Sequence, residues 1–420
     1  MTDRAGLLRR GGSAASVASS QFAVAGANYL LLALAARHVG AAGFAVLTSY
    51  YLLVNTVGRG VFAAVELETT RSVAHARATG VDDTAVRRAA LRQTGLLLVA
   101  VAVLIVLASP LTGPVFGSEL GSLPTALGLL GLGAVAMAAS YLLRGPLAGH
   151  RRYGLYAGTF WIEAAAGAVA AVVLAVAGVT STTAWVAVLA LTPLLAAVVL
   201  ARPATRPGPP APPSTDAGSS MPAVAWSAVL LLAGQGVWNI APVIVTSRLV
   251  DDPASAAGFV TAAVILRAPV LLFPSVQAFL LPAFTEMTST GDDGALRRTV
   301  RTLGLAIVAG GALWVLLAIF VVPFVAHLVF AATVTPPAWI MALLAVSTAI
   351  GAFAQIGQTQ LVAQRRPAAV AVAWTVGLAV LVVLALTLTP VLTAGTLGQL
   401  LGAVAVLVVI ALVRRPRESS

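Results

Sequence analysis

Stretches of about twenty apolar residues recur from one end of this 420-residue chain to the other, and no other feature constrains its fold as tightly. Wound as a helix, such a stretch crosses the ~30 Å of hydrocarbon in a bilayer. Twelve are read, at roughly 14–36, 43–65, 93–111, 123–143, 154–178, 183–201, 223–247, 256–281, 302–325, 338–362, 368–389 and 395–413. They are too long and too continuously apolar for the strands of a membrane barrel, which alternate apolar with polar. The chain is 59% hydrophobic and 9% charged, with a mean hydropathy of +0.98, and a soluble domain cannot cover that much apolar surface. The expected fold class is an all-α polytopic membrane protein of about twelve transmembrane helices.

The pI near 11.3 invites a nucleic-acid reading, but the arrangement of charge removes it. All 25 basic residues are arginine. If the first helix starts inside, the inner tails and loops hold 21 of them, counting Arg144 as the first residue of the loop at 144–152. The outer loops hold Arg37 and Arg248, while Arg59 and Arg267 lie inside helices. This is the positive-inside bias, and it predicts that both termini are cytoplasmic. Arg9 and Arg10, followed by an apolar run ending in ALA at 33–35, have the look of a cleaved signal peptide. The run is longer than a usual signal core and has a partner in the second half, so it is read as a helix.

An internal repeat organises the spans. TGVDDTAVRRAALRQTG at 79–95 returns as TGDDGALRRTVRTLG at 290–304, and Asp82, Asp83, Ala85, Arg87 and Arg88 meet Asp292, Asp293, Ala295, Arg297 and Arg298 at a constant offset of 210. Asn28 and Arg37 match Asn239 and Arg248. AAGF at 41–44 matches AAGF at 256–259, and LAGHRR at 147–152 matches VAQRR at 362–366. Two parallel six-helix repeats are expected: an N-terminal bundle over 1–201 and a C-terminal bundle over 223–420, related by pseudo-symmetry. Between them, 202–222 is rich in Pro, Gly and Ser and reads as a flexible cytoplasmic linker. The charged segments 66–92 and 282–301 are expected to be helical loops on the inner membrane surface. In a membrane protein, two such halves usually enclose a transport path.

Function is sought among polar residues inside spans, because ionisable groups at membrane depth are costly and normally face an internal cavity. Thr48, Tyr51, Asn55, Arg59 and Glu66 fall on one face of the second helix. Arg59 then either lines a cavity and binds an anion or snorkels to the headgroups. Arg267, near mid-membrane in the eighth helix, either forms an anion site or pairs with Glu163 to hold the bundle together. Glu163 is read as the one acid well inside a span, and its alternative role is proton or ion coupling. Gln21 and Asn28 in the first helix, Ser227, Gln235, Asn239 and Thr246 in the seventh, and Thr348, Gln355, Gln358 and Thr359 in the tenth supply further polar groups. Their amides suit sugar hydroxyls and interhelical hydrogen bonds equally. The candidate cavity residues are therefore Arg59, Arg267, Asn28, Asn55, Asn239, Gln235, Gln355 and Gln358, with Glu163 for coupling. Pro242, Pro269, Pro274 and Pro282 break the ladder in the seventh and eighth helices.

With no cysteine and four scattered histidines, no metal site or cofactor is expected. No phosphate-binding loop and no catalytic constellation is found, so an enzyme is not expected.

At this point QFAVAGANYLLLALAARHVGAAGFAVLTSYYLLV, with Arg37, Gly40 and Phe44 in its turn, resembles the first two helices of bacterial polysaccharide flippases, the Wzx-like branch of the MOP superfamily. SRLVDDPASAAGF followed by VTAAVILRAPVLLFPSVQAFLLPAFTEM is similar to that family's corresponding second-half segment, through Gly258, Phe259, Arg267, Pro282 and Phe284. RGPLAGHRRYGLY at 144–156 is similar to the segment between its fourth and fifth helices. The resemblance implies a multi-pass protein of the bacterial cytoplasmic membrane that moves a lipid-linked glycan by alternating access. Its partners would be the anionic pyrophosphate-linked glycan, membrane lipids, and a polymerase or glycosyltransferase, with no nucleic acid. A cation-coupled multidrug exporter of the MATE branch and a non-transporting scaffold for glycan assembly are the alternatives.

Overall fold

The computed structural model describes residues 4–204, 221–290, 292–364 and 366–414, and all regular elements among them are helical. The proposed linker falls largely outside the described residues. Twelve helical spans are long and apolar enough to cross a membrane. The chain divides into two compact units, Met1–Leu231 and Leu232–Ser420.

The first unit contains α1 (Arg4–Ala35), α2 (Ala41–Val57), a π-helical turn (Gly58–Phe62), α3 (Ala63–Thr79), α4 (Thr84–Glu119), α5 (Leu123–Gly149), α6 (Tyr153–Val176) and α7 (Thr182–Ala204). α8 (Met221–Arg248) begins in this unit and ends in the next. The second unit continues with α9 (Pro253–Leu266), a 3₁₀ turn (Ala268–Leu272), α10 (Phe273–Ser289), α11 (Asp293–Phe320), α12 (Val322–Phe330), α13 (Ala338–Ala363), α14 (Pro367–Thr387) and α15 (Val391–Arg414).

The charged segment after the second span is not a separate surface loop. α2, the π turn and α3 run on as one helical stretch, Ala41–Thr79, of 39 residues. At 1.5 Å per residue that is ~58 Å, well beyond the thickness of the hydrocarbon. Only four residues separate it from α4. Gly80 makes this tight reversal possible: it is left-handed (φ 69°) and closes α3, a conformation that costs a glycine little. On the other side of the repeat, the Asp292 carboxylate accepts the Ala295 amide at 2.8 Å and caps α11.

Small residues set helix spacing where backbones touch. A Cβ at Gly377 on α14 would lie 2.7 Å from the Gly402 carbonyl oxygen on α15, and one at Gly402 would lie 2.8 Å from that of Gly377. In a bilayer, helix association draws on this close van der Waals packing. Arginines close several helix ends, where unpaired carbonyls and the negative end of the helix dipole favour cations. Arg248 donates to the Ala385 carbonyl at 2.5 Å, and Arg366 to the Val413 carbonyl at 2.9 Å.

Candidate functional site

The polar residues gather in two places, one in each unit. In the first unit the gathering point is Arg144, which the sequence assigned to a loop. The structure places it inside α5, with only 3% of its surface exposed. The Gly145–Pro146 pair reads as a helix end, yet α5 continues through Pro146 to Gly149. Gly145 also lets α3 approach, since a Cβ there would lie 2.9 Å from the Thr69 Cβ. The lost amide of a proline is tolerated within a packed membrane bundle.

Arg144 is held from several directions. Its Nε donates to Thr159 Oγ1 at 2.9 Å, and a terminal nitrogen donates to Glu163 Oε2 at 2.8 Å. Its guanidinium lies 3.8 Å from the centroid of the Phe160 ring and 5.4 Å from that of Tyr141. Tyr156, Thr159, Phe160 and Glu163 share one face of α6, so that helix presents most of the cradle, with Tyr141 contributed by α5 itself. Tyr156 in turn donates its hydroxyl to Glu66 Oε1 at 2.8 Å. Glu163 thus has Arg144 as its ion-pair partner, where the sequence had suggested Arg267. Nor is Glu163 the sole acid inside a span: Glu66 and Glu68 lie in the long second one. Glu68 accepts from Arg71 at 3.2 Å and from Ser227 at 3.3 Å.

Asn28, Tyr51, Asn55, Arg59, Arg144 and Glu163 line one small cavity of about 40 Å³. All four candidate residues of the first half (Asn28, Asn55, Arg59 and Glu163) are therefore brought together. The cavity has room for about one water molecule or a small ion. Arg59 sits in the π turn, exposed at the cavity, while Asn55 donates to the Tyr51 carbonyl one turn earlier at 2.9 Å. Single π turns inside helices are frequent at functional sites.

The second site is built around a helix break. Pro269 lacks the amide that would continue the ladder, and α9 stops at Leu266. The freed Leu266 carbonyl accepts from Trp314 Nε1 at 3.0 Å and from Thr348 Oγ1 at 3.2 Å. Arg267, at the break and 7% exposed, donates to Asn239 Oδ1 on α8. The Asn239 amide donates in turn to Gln235 Oε1 at 3.4 Å. Arg267, Asn239 and Gln235 are thus joined. Pro242 sits inside α8 without interrupting it.

The two tenth-helix amides belong to α13. Gln358 accepts from Trp374 Nε1 at 2.6 Å, which commits it to tying α13 to α14. Gln355 is half-buried one turn away, and its backbone carbonyl accepts the Thr359 hydroxyl at 2.8 Å. Among the described residues no group of three or more His, Cys, Asp or Glu is placed to hold a metal ion.

No protein-family model matches the chain, and no curated protein matches it by sequence. Solved structures do match over nearly its full length. An inward-facing multidrug-resistance MATE family transporter of the MOP superfamily superposes with a TM-score of 0.67 at 11% identity, covering 93% of this chain and 94% of the other. The lipid II flippase MurJ, in an inward closed conformation, gives 0.63 at 9% identity over 96% and 87%. A MOP superfamily transporter from Pyrococcus furiosus, described as having a binding pocket of reverse polarity that suggests a different function, gives 0.55 at 13% identity over 95% of each chain. At these identities the likeness is one of fold. The chain is a multi-pass helical membrane protein with twelve spans in the fold shared by MATE transporters and MurJ.

Proposed function

We propose that this protein is a transporter of the bacterial cytoplasmic membrane that moves a polyprenyl-pyrophosphate-linked oligosaccharide, or a related lipid-linked glycan, between leaflets by alternating access. The observation that carries the reading is the arginine present at membrane depth in both polar sites. Arg59 and Arg144 line the first-unit cavity, where Glu163 is paired with Arg144 and Arg59 supplies the further positive charge, and Arg267 stands at the second-unit break, held by the Asn239 oxygen. Guanidinium matches phosphate geometry with paired donors, so a pyrophosphate is a natural occupant and a cationic drug is not. In this reading Arg59 in the first unit and Arg267 in the second each offer a guanidinium to phosphate, Asn28, Asn55, Gln235 and Asn239 offer amides to hydroxyls, and the first-unit cavity opens beyond about 40 Å³ during transport. Gln358 is assigned to the scaffold by its bond to Trp374. No step in this process requires the protein to make or break a covalent bond.

A second reading rests on a separate observation. Glu66 and Glu163 place two carboxylates inside the spans of the first unit, as cation-coupled export would need. One experiment separates the two. The gene is deleted, and inner-leaflet lipid-linked oligosaccharide is measured alongside sensitivity to cationic drugs. Wild type and Arg267→Ala are then reintroduced. The expected result is accumulation that wild type clears and Arg267→Ala does not. Unchanged oligosaccharide with raised drug sensitivity would overturn the flippase reading and favour the exporter.

A further inference from the structure

The second unit carries a feature that its polar site does not use. α11 and α13 leave a long groove between them on the lipid-facing side of α11. Its first part, about 470 Å³, is lined by Arg297, Arg301, Leu305, Val308 and Phe353 among others. A second hollow of about 270 Å³ shares Val308 and Phe353 and runs on to Val315. Leu305 and Val308 are each 62% exposed, so the groove opens outward. Its floor is set by glycines: a Cβ at Gly304 would lie 2.8 Å from Phe353 Cζ, and one at Gly311 would lie 2.9 Å from the Ala349 Cβ.

Exposed apolar surface is ordinary on a helix facing lipid, and alone it would mean nothing. Two things mark this groove. Two hollows adjoin along α11, and the polar end is basic, with Arg297 and Arg301 one turn apart and Gln360 lining the same hollow. From Leu296 to Val308 the helix rises ~18 Å, close to the half-thickness of a ~30 Å hydrocarbon core. A tail held there would span one leaflet, with its headgroup level with the two guanidinium groups.

We infer that the α11–α13 groove binds one anionic glycerophospholipid, its acyl chain lying along Leu305, Val308 and Phe353 and its phosphate at Arg297 and Arg301. This requires nothing of the transport reading, because the lipid is a resident of the membrane rather than cargo. Bulk lipid would pack against α11 with no preference for headgroup. A site with a guanidinium group at one end discriminates by charge, at about fivefold for Arg301 near a bilayer surface.

The test uses the full purified chain in detergent and native mass spectrometry, with dioleoyl phosphatidylglycerol and dioleoyl phosphatidylcholine added in equal amounts. The expected result is selective retention of one phosphatidylglycerol. Arg301→Gln should weaken it about fivefold, and the Arg297→Gln/Arg301→Gln pair more. Val308→Trp, which fills the groove with a side chain at a lipid-facing position, should abolish retention. Leu316→Trp, exposed on α11 but outside the groove, should leave it intact and serves as the folding control. Equal retention of both lipids would overturn the proposal. So would loss on Val308→Trp matched by loss on Leu316→Trp, or a polyprenyl phosphate displacing phosphatidylglycerol from the groove.

Discussion

The fourth and fifth spans of the two halves are joined at comparable depth by different chemistry. In the first half Arg144 on α5 meets Glu163 on α6 at 2.8 Å, an ion pair. In the second half Gln358 on α13 meets Trp374 on α14 at 2.6 Å, a neutral hydrogen bond. Arg144 and Gln358 stand 214 residues apart, the same offset as Arg151–Arg152 and Arg365–Arg366 in the flanking repeat. One scaffold position has thus been filled with charge in one unit and left neutral in the other. The neutral bond is sufficient to tie two helices together. The ion pair carries a desolvation cost that tying alone does not demand, which points to a role for charge in the first unit's cavity.

That contrast predicts the largest effect. Glu163→Ala leaves the Arg144 guanidinium buried without its carboxylate and should cost about 3–5 kcal/mol, read as a fall in thermal unfolding temperature in detergent. Gln358→Ala leaves the N–H of Trp374, 2% exposed, without its acceptor and should cost less, about 1–3 kcal/mol by the same assay. The double change Arg144→Met/Glu163→Leu should restore most of the loss while impairing transport, since it removes charge without leaving any stranded. Equal shifts for Glu163→Ala and Gln358→Ala would erase the distinction between the halves.

The next effect concerns the arginine of the second unit. Arg267 is held by the Asn239 oxygen, where Arg144 is held by a carboxylate. Asn239→Ala should cost about 1.5–3 kcal/mol, the range for hydrogen bonds to charged groups. Asn239→Asp should raise stability relative to Asn239→Ala and yet lower glycan export, because it answers Arg267 with a fixed anion. Export retained at the wild-type level in Asn239→Asp would argue that Arg267 does not meet the substrate's phosphate.

A smaller effect separates the fifth and sixth spans of the two halves. Gly167 and Gly377 stand 210 apart. A Cβ at Gly167 meets Thr192 Cγ2 at an ordinary 3.8 Å, whereas one at Gly377 lies 2.7 Å from a backbone oxygen. Gly377→Ala should therefore destabilise by about 1–3 kcal/mol, as overpacking does. Gly167→Ala should leave the melting temperature unchanged. A shift in both would mean that α6 and α7 pack as tightly as α14 and α15.

The sequence carried some of this and hid the rest, for physical reasons. Twelve spans were readable because bilayer thickness imposes a minimum apolar length. The break beside Arg267 was readable only as one of four proline candidates, because every proline removes a donor and Pro242 does so without interrupting α8. The Arg144–Glu163 pair was not, because Gly145–Pro146 is a strong local stop signal and only contact with Thr69 shows that the helix continues. The π turn at Gly58–Phe62 left no mark either: two glycines in a membrane helix signal close packing far more often than an extra residue per turn. The long run of α2 through α3 was concealed by its charge, since Glu66 and Glu68 open a charged segment that reads as a surface loop until their partners Tyr156 and Ser227 are seen. Spacing along one helix reveals which residues share a face. It is silent on which face of another helix they meet.

The smallest predicted effect compares the acids that directly precede α4 and α11, which stand one position out of step with the repeat, since the 210-residue offset pairs Asp292 with Asp82. Asp83 and Asp292 both occupy the residue before a helix. Asp292 uses its carboxylate to accept the Ala295 amide at 2.8 Å. Asp83 makes no such cap: its carboxylate meets Arg87 at 3.0 Å and His150 at 2.8 Å, joining the turn before α4 to the end of α5. The position matched to His150 in the second half is Gln364, which offers an amide in place of an imidazole. Asp292→Ala should cost about 1 kcal/mol, the usual worth of a helix cap. Asp83→Ala should cost less than about 1 kcal/mol, since partly exposed ion pairs contribute little. Its sharper signature is local: amide hydrogen exchange should quicken at both the Gly80–Asp83 turn and the His150 end of α5. For Asp292→Ala the quickening should stay in the first turn of α11. If Asp83→Ala alters exchange only in its own turn, the contact with His150 couples nothing.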